Sequence, residues 1–399
     1  MERFCLTNKR LLRWSGFWFE GDSVKMHQKI LCFISAMVDV IFIIAPEYYC
    51  VYQHLDDLFE TFGAVSEGLT NTLCFIKMIV VFKNKDNIRT LLNEMKQSWR
   101  EVQMTDSDAI KRESMDRAEK VSKGFAYSYL VAATNFMVNP IITMAIVSSF
   151  KRQAILLEDV SLPIKTEYPF DITSSVFRLS AVFSVTVLAE LYVLRILMGF
   201  DTLSVSLMNY CADLFKILSS QLRSLRVESS QGDQNIWTEE NKKKILNDLK
   251  EIVNRHNQFI DFSDRLEEVL NPMMLAQYLS STFMFCVVGF QLSILIESPY
   301  NFFIITTYCV SLGIQLFMYS WFGSYLTTAA DEVSFAAYES EWFNTPVTVQ
   351  KEIILIIQRS NHSVGITAAK FYYISIESFA KALSSAISYF TLLQTIYEK

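Results

Sequence analysis

From Met273 to Ile296 the chain reads MMLAQYLSSTFMFCVVGFQLSILI, 24 residues without one charged side chain. An α-helix rises about 1.5 Å per residue, so a run of this length covers the roughly 30 Å hydrocarbon core of a bilayer. On a water-soluble domain so much continuous Phe, Met, Leu and Val would be an exposed liability. A membrane-spanning helix pairs every backbone N–H and C=O internally and leaves the side chains to lipid or to neighbouring helices.

Blocks of the same kind lie on either side. They run from about Ile30 to Tyr52, Phe59 to Phe82, Phe125 to Phe150, Ile172 to Tyr210 with its cytoplasmic extension included, Phe302 to Thr328, and Phe371 to Ile396. The second and the last are the least apolar. The expectation is an all-α, polytopic membrane protein with seven transmembrane helices. Composition agrees, with 51% hydrophobic residues, 31 Phe and only 20% charged residues in 399. A soluble chain of that length divides into domains with a polar surface to match. The leading segment, residues 1–29, is amphipathic and lacks a short apolar run with a cleavage site, so the first span is expected to direct insertion.

The net charge of -6 says little, but its distribution says much. Residues 1–29 hold six Lys/Arg, Lys83–Lys123 ten, Arg223–Arg265 eight and Asp331–Lys370 three. The alternate connections hold none in Glu47–Leu58, three in Lys151–Asp171, none between the fifth and sixth spans, and one at Lys399. Cytoplasmic loops carry the Lys/Arg excess, so the amino terminus is expected inside and the carboxyl terminus outside. That inverted topology is the reverse of a G-protein-coupled receptor. The basic connections look like helical extensions, since Ile245, Leu249, Ile252, Phe259, Leu266 and Leu270 recur among charges.

Enzyme chemistry finds no foothold. HExxH, GxSxG, Walker and Rossmann patterns are absent from the sequence, and nothing in it suggests nucleic-acid binding. The seven cysteines are scattered, five of them inside apolar blocks, and the four His never pair at ligand spacing. Neither a metal nor a cofactor is expected. A secondary transporter is the rival from another class, but it predicts internal repeats with broken helices, and none is visible. Asn271-Pro272 opens the fifth span, where an NPxxY motif does not belong.

The last 70 or so residues carry the informative pattern. They read Ala337-Tyr338, Trp342, Ile356-Ile357-Gln358-Arg359-Ser360, Ala368-Ala369-Lys370-Phe371, Ser375-Ile376-Glu377-Ser378-Phe379 and Ser388-Tyr389-Phe390-Thr391-Leu392-Leu393. In order and spacing this resembles the carboxyl-terminal signature of insect odorant receptors. Gustatory relatives end in Thr-Tyr, five hydrophobic residues and Gln-Phe. Here Ser388-Tyr389 is followed by Gln394 one residue early, without the Phe.

The resemblance implies an odorant-gated, non-selective cation channel subunit in the plasma membrane of olfactory sensory neurons, acting without a G protein. Its implied partners are a small volatile odorant, membrane lipid, permeant cations and the olfactory co-receptor (Orco), in a heterotetramer. The co-receptor carries an extra insertion between its fourth and fifth spans that this chain lacks, so a tuning subunit is implied. Residues 30–330 would hold spans one to six and the odorant pocket. Residues 331–370 would form a cytoplasmic anchor where subunits meet, through Tyr338 and Trp342, and 371–399 the pore-lining helix and extracellular end.

Odorant pockets are expected to be apolar and aromatic with one or two polar groups. In the outer half of the bundle the candidates are Leu69, Thr72, Asn135, Met137, Phe177, Ser180, Phe183 and Tyr308. Any one of them also suits ordinary helix packing. On the last span Ser384, Ser388, Thr391 and Thr395 share one helical face with Lys381, and Leu392 flanks it. Such a stripe suits a wetted wall or a close helix-packing seam. The resemblance implies that this helix lines the pore and that Leu392 stands at the family's hydrophobic gate, where an apolar ring can close by dewetting. Lys381 is expected to turn toward an acidic partner. Lys77, Lys216 and Arg178 sit where snorkelling to an interface explains them. Asp39, mid-span, suits either an interhelical pair or gating, and Pro140 is expected to kink the third helix.

Overall fold

The computed structural model describes residues 6–19, 21, 23–101, 105–151, 160, 162–225, 239–294 and 299–397. In chain order the helices are α1 (Leu6–Leu12), α2 (Met26–Asp39), α3 (Ala45–Gln53), α4 (Leu58–Lys83), α5 (Lys85–Glu101), α6 (Thr105–Lys151) and α7 (Val176–Arg223). Then follow α8 (Glu239–Ile294), α9 (Pro299–Glu339), α10 (Val347–Ser360), the short strands β1 (Thr367–Ala368) and β2 (Tyr372–Tyr373), and α11 (Ile376–Tyr397). A π-helical turn, Val40–Ile44, welds α2 to α3 into one rod.

Local chemistry sets several of the boundaries. Asp57 caps α4, its carboxylate accepting the N–H of Phe59 at 2.9 Å and of Glu60 at 3.2 Å. Ser175 caps α7 by accepting the N–H of Phe177. Both satisfy donors that a helix start leaves open. Pro140 and Pro272 lie inside α6 and α8, which continue through them.

Five helical stretches are long and apolar enough to cross a membrane: Met26–Gln53, Leu58–Lys83, Val176–Arg223, Glu239–Ile294 and Phe302–Asn344. They coincide with five of the predicted blocks. The third block lies on α6, where the side chains of 143–151 are outside the described residues. The last lies on α11, whose Glu377–Lys381 pair and hydroxyls make it more polar. That span was expected from Phe371, yet the helix starts only at Ile376. The residues before it close a hairpin in which Thr367 faces Tyr373 and Ala368 faces Tyr372. Ala369 and Lys370, at φ of 49° and 62°, are the left-handed centre of the turn that the Phe371 N–H closes on the Ala368 carbonyl at 3.0 Å, within the three-residue connection 369–371. Neither is Gly or Asn, so the turn carries no sequence signal.

α7 is the spine. From Gly199 to Phe215 every residue is buried, wrapped by α1, α6, α8 and α9. A side chain at Gly199 would strike Leu12 of α1, with only 2.5 Å to its Cδ2, so this close approach requires glycine. The basic connections are helical as expected. α9 runs unbroken to Glu339, so the division expected at Asp331 falls inside it. α10 folds back onto α9 and α8, burying Val349, Ile353 and Ile356. Trp342 packs half-buried against the main core, whereas Tyr338 is 67% exposed.

Candidate functional site

Four helices and one connection line a partly open chamber with about 790 Å³ free of protein atoms, open solvent at its mouth included. α4 presents Glu67, Thr70 and Asn71, and α6 presents Tyr129, Ala132, Ala133, Phe136 and Met137. α7 gives Thr186, Val187, Glu190 and Leu194, and α9 gives Tyr308, Ser311, Leu312 and Gln315. On each helix the spacings of one, three and four keep the residues on one face. Pro163 and Ile164 close the wall from the connection ahead of α7. All these positions fall in the half of each helix away from the Lys/Arg-rich connections.

Most of the lining is apolar, so the polar groups decide what fits. The Tyr308 hydroxyl lies 2.8 Å from Thr70 Oγ1 and donates to the Ser66 carbonyl at 3.2 Å, while its ring meets Phe136 edge to face. Glu67 accepts the backbone N–H of Lys165 at 2.7 Å, which fixes the connection to α4. Asn71 Nδ2 donates to Glu47 Oε1 at 2.8 Å. Asn71 Oδ1, Glu190 Oε2 and Glu47 Oε2 are shielded from solvent and have no protein partner, as are both carboxylate oxygens of Asp39. Buried polar atoms left unmatched are costly, and at a cavity wall they select for a complementary polar group.

The floor is an ion pair. Lys77 Nζ lies 2.5 Å from Asp201 Oδ1 and 2.7 Å from Gln277 Oε1, with both charged side chains 0% exposed. Asp201 also accepts from Gln315 at 2.6 Å, Tyr319 at 2.6 Å and Tyr129 at 3.3 Å. Gln277 donates to Gln315 Oε1 at 3.0 Å. Lys77 therefore does not snorkel. It is locked in the centre of the bundle because Asp201, Gln277 and the Tyr319 ring, 5.5 Å from its ammonium, replace its hydration. Lys216 stacks its ammonium over Tyr325 at 4.5 Å, and Arg178 donates to Ser174 at 3.0 Å.

Of the predicted ligand residues, Met137 and Tyr308 meet in the chamber. Leu69 packs one turn away against Met284, Val288 and Leu312. Thr72 bonds Tyr48 at 3.2 Å, and Asn135 Nδ2 is buried without a partner beside the lining. Phe183 is half-buried outside the lining, while Ser180 and Phe177 are exposed at the start of α7. Sequence reasoning missed Glu67, Asn71, Glu190 and Gln315. The available signal was the presence of acids and amides inside apolar blocks, which are functional candidates by default.

On α11, Ala382 and Ala386 are buried on the face packed against α8 and α9. Ser384, Ser388, Thr391 and Thr395 are exposed on other faces, and Leu392 is 58% exposed. The hydroxyls of Ser388, Thr391 and Thr395 bond back to carbonyls of their own helix. Lys381 pairs with Glu377 at 2.7 Å, one turn away.

A largely helical membrane protein with a partly open, mostly apolar chamber and a few convergent polar groups is suited to hold a small molecule. The chain belongs to the odorant receptor family: the family model 7tm Odorant receptor matches residues 58–387. Odorant receptor 22c of Drosophila melanogaster is 25% identical over 395 residues, 95% of this chain and 94% of that one. Odorant receptor 13a of the same fly is 27% identical, covering 86% of this chain and 82% of its own. The fold is that of the insect olfactory receptor OR5 from Machilis hrabei. In its complex with eugenol that receptor aligns over 98% of this chain and 97% of its own with a TM-score of 0.81 at 14% identity. Without ligand the TM-score is 0.78 at the same identity, over 99% of this chain and 100% of its own. This is a family of receptors rather than of enzymes.

Proposed function

We propose that this chain is a tuning odorant receptor subunit of an odorant-gated, non-selective cation channel, assembled with the olfactory co-receptor in the plasma membrane of olfactory sensory neurons. The observation that carries the reading is the chamber between α4, α6, α7 and α9, apolar in the main with a few convergent polar groups. The Machilis hrabei receptor of the same fold, solved with eugenol, supports a volatile ligand. The exposed hydroxyl face of α11 supports a role lining the conduction path, and the Lys/Arg distribution supports a cytoplasmic amino terminus.

Asn71 Oδ1, a buried amide oxygen on the chamber wall with no protein partner, favours odorants that carry a polar hydrogen. A hydrogen bond to a buried acceptor contributes about 1.5 kcal/mol, or roughly tenfold in affinity. Expressed with and without the co-receptor, the chain should pass cation current to members of an odorant panel. Among active compounds an alcohol should be about tenfold more potent than its methyl ether. Asn71→Leu should narrow that gap. Currents in neither configuration, for any volatile compound, would overturn the receptor reading.

A further inference from the structure

Outside the chamber, a second set of donor atoms gathers at the end of the first span. Cys50 and His54 lie four residues apart, on the last turn of α3 and at its cap, so they share one face. Nδ1 of His54 is 3.1 Å from the Cys50 carbonyl oxygen and 3.8 Å from its sulfur. The opposite nitrogen, Nε2, faces Glu167 Oε1 at 3.5 Å. Glu167 is itself positioned by its N–H, which donates to the Pro46 carbonyl at 3.1 Å. One donor atom from each of the three residues lies within 4.8 Å of the others. Cys50 and His54 alone carry no metal signature in the sequence, since the third residue arrives from a connection over a hundred residues away.

The geometry is that of a half-built coordination shell. A His that donates Nδ1–H to a backbone carbonyl has its tautomer fixed and presents the Nε2 lone pair. The 3.5 Å gap to Glu167 is too long for a hydrogen bond. It matches two ligands held about 2.1 Å from a shared ion at a tetrahedral angle, which sit roughly 3.4 Å apart. Thiolate, imidazole and carboxylate form a donor set suited to Zn²⁺, and the two anions balance its charge. Lys165, the base nearest Glu167 in sequence, is engaged by Glu60 at 2.6 Å.

We propose that Cys50, His54 and Glu167 bind Zn²⁺ and that the ion ties the connection ahead of α7 to the first span. On binding, the Cys50 thiol releases its proton to solvent, no electron moves, and the fourth position is left to water. Pro163 and Ile164, a few residues before Glu167, wall the chamber, so the ion restrains that wall. Odorant entry and exit then slow together when Zn²⁺ is present.

The test titrates the purified full-length chain with Co²⁺ as spectroscopic probe and with Zn²⁺ as competitor. One equivalent should bind, giving a thiolate-to-cobalt charge-transfer band that Zn²⁺ displaces. Cys50→Ser should abolish the band, and His54→Ala and Glu167→Gln should each weaken binding at least about tenfold. In the unaltered chain, where folding is not in question, Zn²⁺ should protect Cys50 from maleimide labelling read by mass spectrometry. A band that survives Cys50→Ser, or labelling of Cys50 indifferent to Zn²⁺, would overturn the site. In recordings, micromolar Zn²⁺ should lengthen the onset and decay of odorant currents in the wild type and not in His54→Ala. Unchanged time courses with the ion bound would overturn the tie to the chamber wall.

Discussion

Lys77 and Asp201 form the buried ion pair at the floor of the chamber. Both side chains are wholly buried, and removing one partner of such a pair leaves a bare charge at a cost of about 3–5 kcal/mol. Lys77→Met alone should therefore depress the thermal unfolding midpoint in detergent and lower surface expression. The double variant Lys77→Met with Asp201→Leu should recover at least half of the loss. A double variant no better than the single one would show that the pair acts through Gln277 and Tyr319 rather than through mutual neutralisation. A second residue-scale prediction concerns His256, on the α8 extension and 4% exposed. Burial, helped by Arg359, holds its imidazole down to about 4. The unfolded chain takes up this proton near 6.5 and the folded chain does not, so stability is full above 6.5 and falls as pH drops toward 4. At pH 5 the loss is about 2 kcal/mol. His256→Gln should flatten that part of the pH–stability curve in a chemical denaturation series.

At the scale of the element, α11 asks for a direct test. Its buried face holds Ala382 and Ala386, and its hydroxyl stripe points elsewhere. Cysteines placed from Ser384 to Thr395 and exposed to a charged thiol reagent during odorant application should react fastest at Ser388 and Thr391. Leu392→Ala should raise the resting current. Modification confined to Ile387 and Phe390 would reassign the conducting face. The helices themselves were legible because spans announce themselves by length and apolarity, and the extensions by 3.6-residue periodicity. The start of α11 was not, since Ala369 and Lys370 make a turn whose geometry their side chains do not advertise. The chamber was legible only in part. Met137 and Tyr308 stood out as an adaptable and an aromatic side chain. Glu190 and Asn71 did not, because a lone acid or amide in an apolar run gives no hint of which helix it meets. The Lys77–Asp201 pair failed for the same reason, as each residue shows one half of a contact that only folding completes.

For the whole molecule, orientation is the first thing to establish. A tag ahead of Met1 should stay hidden on intact cells and one after Lys399 should be labelled. Asn361-His362-Ser363, at the end of α10, should carry no glycan. The reverse labelling pattern would invert every assignment of inside and outside made from Lys/Arg counts. The long reach of the ion pair also has a consequence for how the chain is made. Lys77 and Asp201 are 124 residues apart, on the second and fourth spans. A ribosome adding about 5–20 residues per second leaves the newly made Lys77 without its counter-charge for roughly 6–25 s. For that interval the second span is a poor lodger in lipid. Until the fourth span arrives Lys77 must be met by water, headgroups or other helices, so the spacing of two residues sets how long in synthesis the second span goes without its counter-charge.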